Sequence, residues 1–136
     1  MITIEQSFYV GFSVVMLTLV VFMMGSYYST SYSIAQDIGM KDVIKTINTA
    51  SVKVYLESRY FGSEGTVVYL KLPSRIAGEK YSLYYNATTD EFCFLLPKTY
   101  CEHSYLFASN VPIIASLDSS DDVHQVRYVN NSIVVS

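Results

Sequence analysis

Apolar side chains follow three rhythms along this chain, and each rhythm predicts a different element. From Phe8 to Met24 they are almost continuous, and between Gln6 and Gln36 there is no Asp, Glu, Lys or Arg. At a helical rise of about 1.5 Å per residue, roughly 17 to 20 such residues match the hydrocarbon thickness of a bilayer. In the second rhythm Met40, Val43, Ile44, Ile47, Ala50 and Val54 recur at spacings of three and four, while Lys41, Asp42, Lys45, Lys53, Glu57 and Arg59 fall on the opposite side. That is the pattern of a helix with one buried face. After "FGSEG" the period drops to two, which is the signature of strands.

The first two rhythms run together without a proline. They predict one helix of about 50 to 55 residues that is hydrophobic in its first half and amphipathic in its second. Gly11, Gly25 and Gly39 weaken it, each by about 1 kcal/mol relative to Ala. The stretch "SYYSTSYS" is a poor helix former, so a break is expected there or near Gly25 or Gly39.

In the third region "TVVYLKLP" places Val68, Leu70 and Leu72 on one face of a strand that Pro73 ends. "KYSLYYNATTDEFCFLL" predicts two strands joined through "NATTD", and "VRYVNNSIVVS" predicts a hairpin turning at Asn130 and Asn131. The stretch "SYLFASNVPIIASLDSSDD" is expected to supply one or two short edge strands and an acidic loop. The fold class is therefore α+β: a long N-terminal helix followed by an antiparallel β-sheet or β-sandwich head, with the Met40 to Val54 stripe available to cover the apolar face of the sheet. The expected division is 1–60 for the helix, with 1–28 as the membrane-length segment and 29–60 packing on the head, and 61–136 for the head.

Composition narrows the function. The 136 residues are 51% hydrophobic and only 15% charged, too apolar for a soluble domain unless one segment is buried elsewhere. A net charge of -3 without a Lys/Arg cluster in the sequence excludes a nucleic-acid footprint. Cys93 and Cys101 flank "FLLPKTY" in a region expected to lie outside the membrane, where they pair as a disulfide or remain as two buried thiols. With only His103 and His124 beside them the spacing fits no zinc finger, and adjacent residues of "CEH" on a strand point to opposite faces. Asp118, Asp121 and Asp122 lack the Gly and bidentate Glu of an EF-hand loop and read as a solvated loop. No Ser has the glycines of a nucleophile elbow, so neither an enzyme nor a cofactor is expected. Asn86 in "NAT" and Asn130 in "NNS" are N-glycosylation sequons.

One carboxylate, Glu5, stands at the edge of the apolar run. Taken alone it is an interfacial acid at a helix start, where the dipole favours negative charge. Tyr27, Tyr28 and Tyr32 gather where the run ends, as in an aromatic belt at a membrane interface or between packed helices. The order of "MITIE", an apolar run including "FYVGFSVVMLTLVVFMM", an amphipathic helix and a β-rich head resembles the mature N-terminus of a type IV pilin, the class that includes archaeal pilins and archaellins. The resemblance covers residues 1–55 in arrangement and Thr3, Ile4 and Glu5 in motif. The proline usual near position 22 of the bacterial proteins is missing, and the archaeal type fits better.

The resemblance implies a structural subunit of an extracellular helical filament used for adhesion, motility or cell contact. It implies a homo-oligomer of many copies, built by an assembly machinery from a membrane-inserted precursor. Met1 then begins the mature chain, or is an initiator methionine. In such a filament Glu5 meets the free α-amine of a neighbouring Met1, and Thr3 satisfies a nearby polar group. Burial of Phe8, Phe12, Val15, Leu19 and Phe22 among like helices supplies the free energy, at about 25 cal/mol per Å² where water is the alternative and less where lipid is. The alternative is a single-pass, membrane-anchored accessory protein of the same type, whose β domain binds a cell-envelope or motor partner.

Overall fold

A computed structural model describes residues 3–62, 65–121 and 123–136. The chain is an α+β protein. Helix α1 (Ile4–Phe61) is followed by β1 (Val67–Leu70), β2 (Ser82–Asn86), β3 (Glu91–Leu96), β4 (Tyr100–His103), a single 3-10 turn (Phe107–Ser109), β5 (Ile113–Asp118), β6 (His124–Val129) and β7 (Ser132–Val135). It divides into two compact units, Met1–Ile34 and Ala35–Ser136.

The start of α1 is fixed by its own side chains. Thr3 Oγ1 accepts the backbone N–H of Gln6 at 3.4 Å, and Gln6 Oε1 accepts the N–H of Thr3 at 3.1 Å. This is a capping box, which satisfies two of the amide donors that a helix start otherwise leaves open. The helix then runs uninterrupted to Phe61, through Gly25, Gly39 and "SYYSTSYS". The expected break is absent. Within the polar stretch the Thr30 hydroxyl donates to the Ser26 carbonyl at 3.0 Å, four residues back, so it is satisfied inside the helix without interrupting it.

Gly39 also has a positive role that its helix propensity conceals. A Cβ there would lie 2.7 Å from Ile76 Cγ2. The glycine therefore marks close approach of α1 to the loop before β2, whereas Gly11 and Gly25 have nothing within 4 Å.

The seven strands form one sheet in the order β1-β6-β7-β5-β2-β3-β4. Every pairing is antiparallel except β5 with β7. The β6–β7 hairpin turns at Asn130 and Asn131, with φ of 50° and 61°. Two consecutive left-handed residues are what a type I′ turn requires, and Asn tolerates that conformation better than most side chains. The stretch expected to give edge strands behaves differently. β5 lies at the centre of the sheet, between β7 and β2, and the edges are β1 and β4. Its alternation sets which face meets the core, with Ile113, Ala115 and Leu117 buried and Ile114, Ser116 and Asp118 exposed, while its pairing with both β7 and β2 sets its place at the centre.

In the unit from Ala35 onward, Met40, Val43, Ile44, Ile47, Ala50 and Val54 of α1 share a core with Leu83, Phe92, Phe94, Leu117, Val126 and Ile133 of the sheet. Tyr81 meets Phe94 edge to face at 5.7 Å between ring centroids. Asn48 interrupts the apolar stripe and is only 1% exposed. Its Nδ2 donates to the His103 carbonyl at 3.3 Å and its Oδ1 accepts the N–H of Tyr105 at 3.1 Å, so the side chain ties α1 to the end of β4. At the opposite sheet face Cys93 and Cys101 sit directly across β3 and β4 and form a disulfide. A disulfide fits an oxidising, non-cytoplasmic compartment.

Candidate assembly surface

α1 contains a stretch long and apolar enough to cross a membrane, and the most apolar part of it is not buried within the chain. Phe8, Phe12, Val15, Leu19 and Phe22 are all more than half exposed, Phe22 the most at 75%. So are Val14, Leu17, Val20 and Val21, which lie at other angles around the helix. The surface is thus apolar on every side, whereas a helix covered along one flank carries a polar stripe.

Thr3 and Glu5 stand at its beginning. Thr3 is engaged by the capping box. Glu5 lies in the first helical turn and is exposed. A carboxylate there faces the positive end of the helix dipole, an interaction of about 0.3 to 1 kcal/mol. No ion pair to Glu5 occurs among the described residues. Met1, the assigned partner of Glu5 in a neighbouring copy, lies outside the described residues. Where the apolar run ends, Tyr27 and Tyr28 are exposed and Tyr32 is half-buried.

Residues that the pattern singled out in the head have local roles. Cys101 and His103, two apart on β4, share one sheet face, as strand alternation requires, so the expectation that "CEH" points its ligands apart fails for this pair and holds only for Glu102 between them. There His103 Nε2 approaches Glu91 Oε1 at 3.6 Å across the strands. Glu91, Cys93 and Cys101 bring three donor atoms within 4.8 Å of one another, but both sulfurs are spent in the disulfide, which removes them as thiolate ligands.

Asp118 Oδ1 accepts the Ser120 hydroxyl at 2.7 Å and the Ser120 N–H at 2.9 Å. These two bonds hold its carboxyl below the usual range. Asp121 is exposed, and Asp122 lies outside the described residues. Asn86 ends β2 half-buried, its Oδ1 accepting the N–H of Thr88 at 3.0 Å, while Asn130 is exposed at the tip of its hairpin.

Two features escaped the sequence reading. Gln6 completes the cap, and Thr3-x-x-Gln6 is a spacing that could have revealed it. The last turns of α1 carry a second apolar patch, Val52, Leu56, Tyr60 and Phe61, around an open groove of about 810 Å³. Its i, i+4, i+8 spacing was legible, but lay under the stronger stripe that covers the sheet. Comparison with known protein families, with curated proteins and with solved structures finds no match.

Proposed function

We propose that this chain is the structural subunit of an extracellular helical filament of the type IV pilin kind, held in a membrane by residues 4–34 before assembly and packed through them afterwards. The observation that carries this reading is the all-round exposure of the apolar stretch, whose most apolar part is not buried within the chain. So large an apolar surface needs lipid or other proteins around it. A bundle of like helices covers every side at once, which suits a helix with no polar flank. The exposed patch at Leu56, Tyr60 and Phe61 supports the reading, because head-to-tail assembly joins two different surfaces of one subunit. In the bundle Glu5 meets the terminal amine of a neighbour, and that pair fixes axial register more than it adds stability. The role is structural rather than catalytic.

A second reading keeps residues 4–34 in the membrane permanently, as the anchor of an accessory protein whose head binds an envelope or motor partner. The capping box favours it, since Thr3 is satisfied within its own helix and Glu5 is accounted for by the dipole. Electron microscopy of sheared cell-surface material separates the two. Filaments composed mainly of this chain, lost in Glu5→Ala while membrane insertion persists, are the expected result. Recovery of the chain only in membrane extracts would leave the anchor reading standing.

A further inference from the structure

A cleft in the head has no part in assembly as proposed. It has a volume of about 470 Å³ and is lined by Lys71, Ser74, Arg75, Lys80, Ser120, Asp121 and the ring of His124, over a floor that includes Leu70 and Leu72. The chain has nine Lys and Arg and a net charge of -3. Three of the nine stand around this single cleft, so its rim runs against the charge of the whole.

The walls are built rather than incidental. His124 pairs with Leu70 across β6 and β1, and both line the cleft. Ile76 and Glu79 form a bridge that folds the intervening loop back on itself, turning at Ala77 and Gly78 with φ of 49° and 83°. Arg75 Nη1 donates to the Gly78 carbonyl at 2.8 Å, which steadies the guanidinium. Next to Lys80 a reciprocal clamp joins the two segments: Tyr81 N donates to Ser119 Oγ at 3.0 Å, and Ser119 N donates to the Tyr81 carbonyl at 2.9 Å. Asp118, next to this clamp, has its carboxylate bonded to Ser120. His124 is 6% exposed, and its Nδ1 has no hydrogen-bond partner among the described residues. A buried polar atom without a partner is uncommon and calls for an explanation.

We propose that this cleft binds an acidic saccharide, with Lys71, Arg75 and Lys80 taking its carboxylate and Asp121 and Ser120 taking its hydroxyl groups. The mixture of charges selects the class. A bare anion gains from the three cations but is opposed by Asp121, whereas a uronic sugar presents hydroxyl donors that the Asp121 carboxylate accepts. This site stands independently of whether the copies assemble.

The test is titration calorimetry of the detergent-solubilised full chain with trigalacturonate, maltotriose and inorganic phosphate. Saturable binding of trigalacturonate, with neither of the other two bound within roughly a tenfold weaker range, is expected. The double variant Lys71→Gln/Lys80→Gln should weaken it by at least about tenfold while the melting temperature of the head is retained. Asp121→Asn should weaken trigalacturonate and strengthen phosphate, a reversal that general loss of structure does not produce. Equal binding of maltotriose, phosphate binding as tight as that of trigalacturonate, no binding of trigalacturonate, or an unchanged affinity in the double variant would each overturn the assignment.

Discussion

Two parts of one helix live under opposite rules. From Ile4 to Ile34, α1 is apolar around its circumference and exposed. From Ala35 to Phe61 it is apolar along one stripe, with Met40, Val43, Ile44, Ile47 and Val54 fully or almost fully buried. The second part is stabilised by what it covers and the first by what comes to cover it. The contrast teaches that exposure of an apolar residue has meaning only in relation to its surroundings: a continuous patch signals an interface, while scattered residues do not. The change begins at Gln36 and Asp37, where Gln36 is buried and Asp37 pairs with Lys98 at 2.7 Å. That ion pair is half-exposed and adds little to stability, about 0 to 1 kcal/mol.

The largest test of this contrast is to remove one large ring from each side of it. Phe94→Ala should cost the head about 3 to 5 kcal/mol, because it leaves a cavity in a core that cannot fully collapse. Phe12→Ala should leave the unfolding free energy of the head within about 0.5 kcal/mol of wild type, because its ring is exposed. Denaturant unfolding in detergent, followed by tyrosine signals of the head, measures both. Equal losses would mean that residues 4–34 share the folding unit of the head.

An alkaline titration gives a smaller effect. Burial pushes the Tyr81 hydroxyl up to about 12, and that hydroxyl donates to the Pro73 carbonyl at 2.7 Å. Above the ordinary tyrosine value near 10 the unfolded chain has released this proton while the folded head retains it. The contribution is therefore complete below about pH 10 and is lost as the pH rises toward 12. Melting of the head should fall over that window, and Tyr81→Phe should flatten the fall. The helical signal of residues 4–34 should change little.

The smallest test compares two glycines. Gly25→Ala should stabilise the free helix by up to about 1 kcal/mol, since nothing stands in the way of a methyl group. Gly39→Ala gains the same propensity but forces a methyl against buried Ile76, and the head should lose about 1 kcal/mol net. Matched thermal melts of the two variants give the sign. Stabilisation of the head by Gly39→Ala would show that Ile76 yields easily.

Much of the architecture was legible because periodicity reports which side of an element meets the core. The Met40 to Val54 stripe, the strands around "NATTD" and the Asn130–Asn131 turn each follow from residues close in sequence. Continuity of α1 through "SYYSTSYS" was missed because intrinsic propensity is a weak prior, which the helical segments on either side override. The cleft around His124 was not legible, because its cations come from a loop and its ring from a strand far along the chain.

By itself, then, the amino-acid sequence determined the long apolar helix, its amphipathic continuation and the change to strands, since these rest on local spacing and composition. Only the tertiary structure decided that β5 lies at the centre of the sheet and β7 between β5 and β6, that Asn48 belongs in the core, and that Gly39 lies against Ile76. The reason is physical: strand order and close approach depend on contacts between distant residues, whose cost and gain no local pattern records.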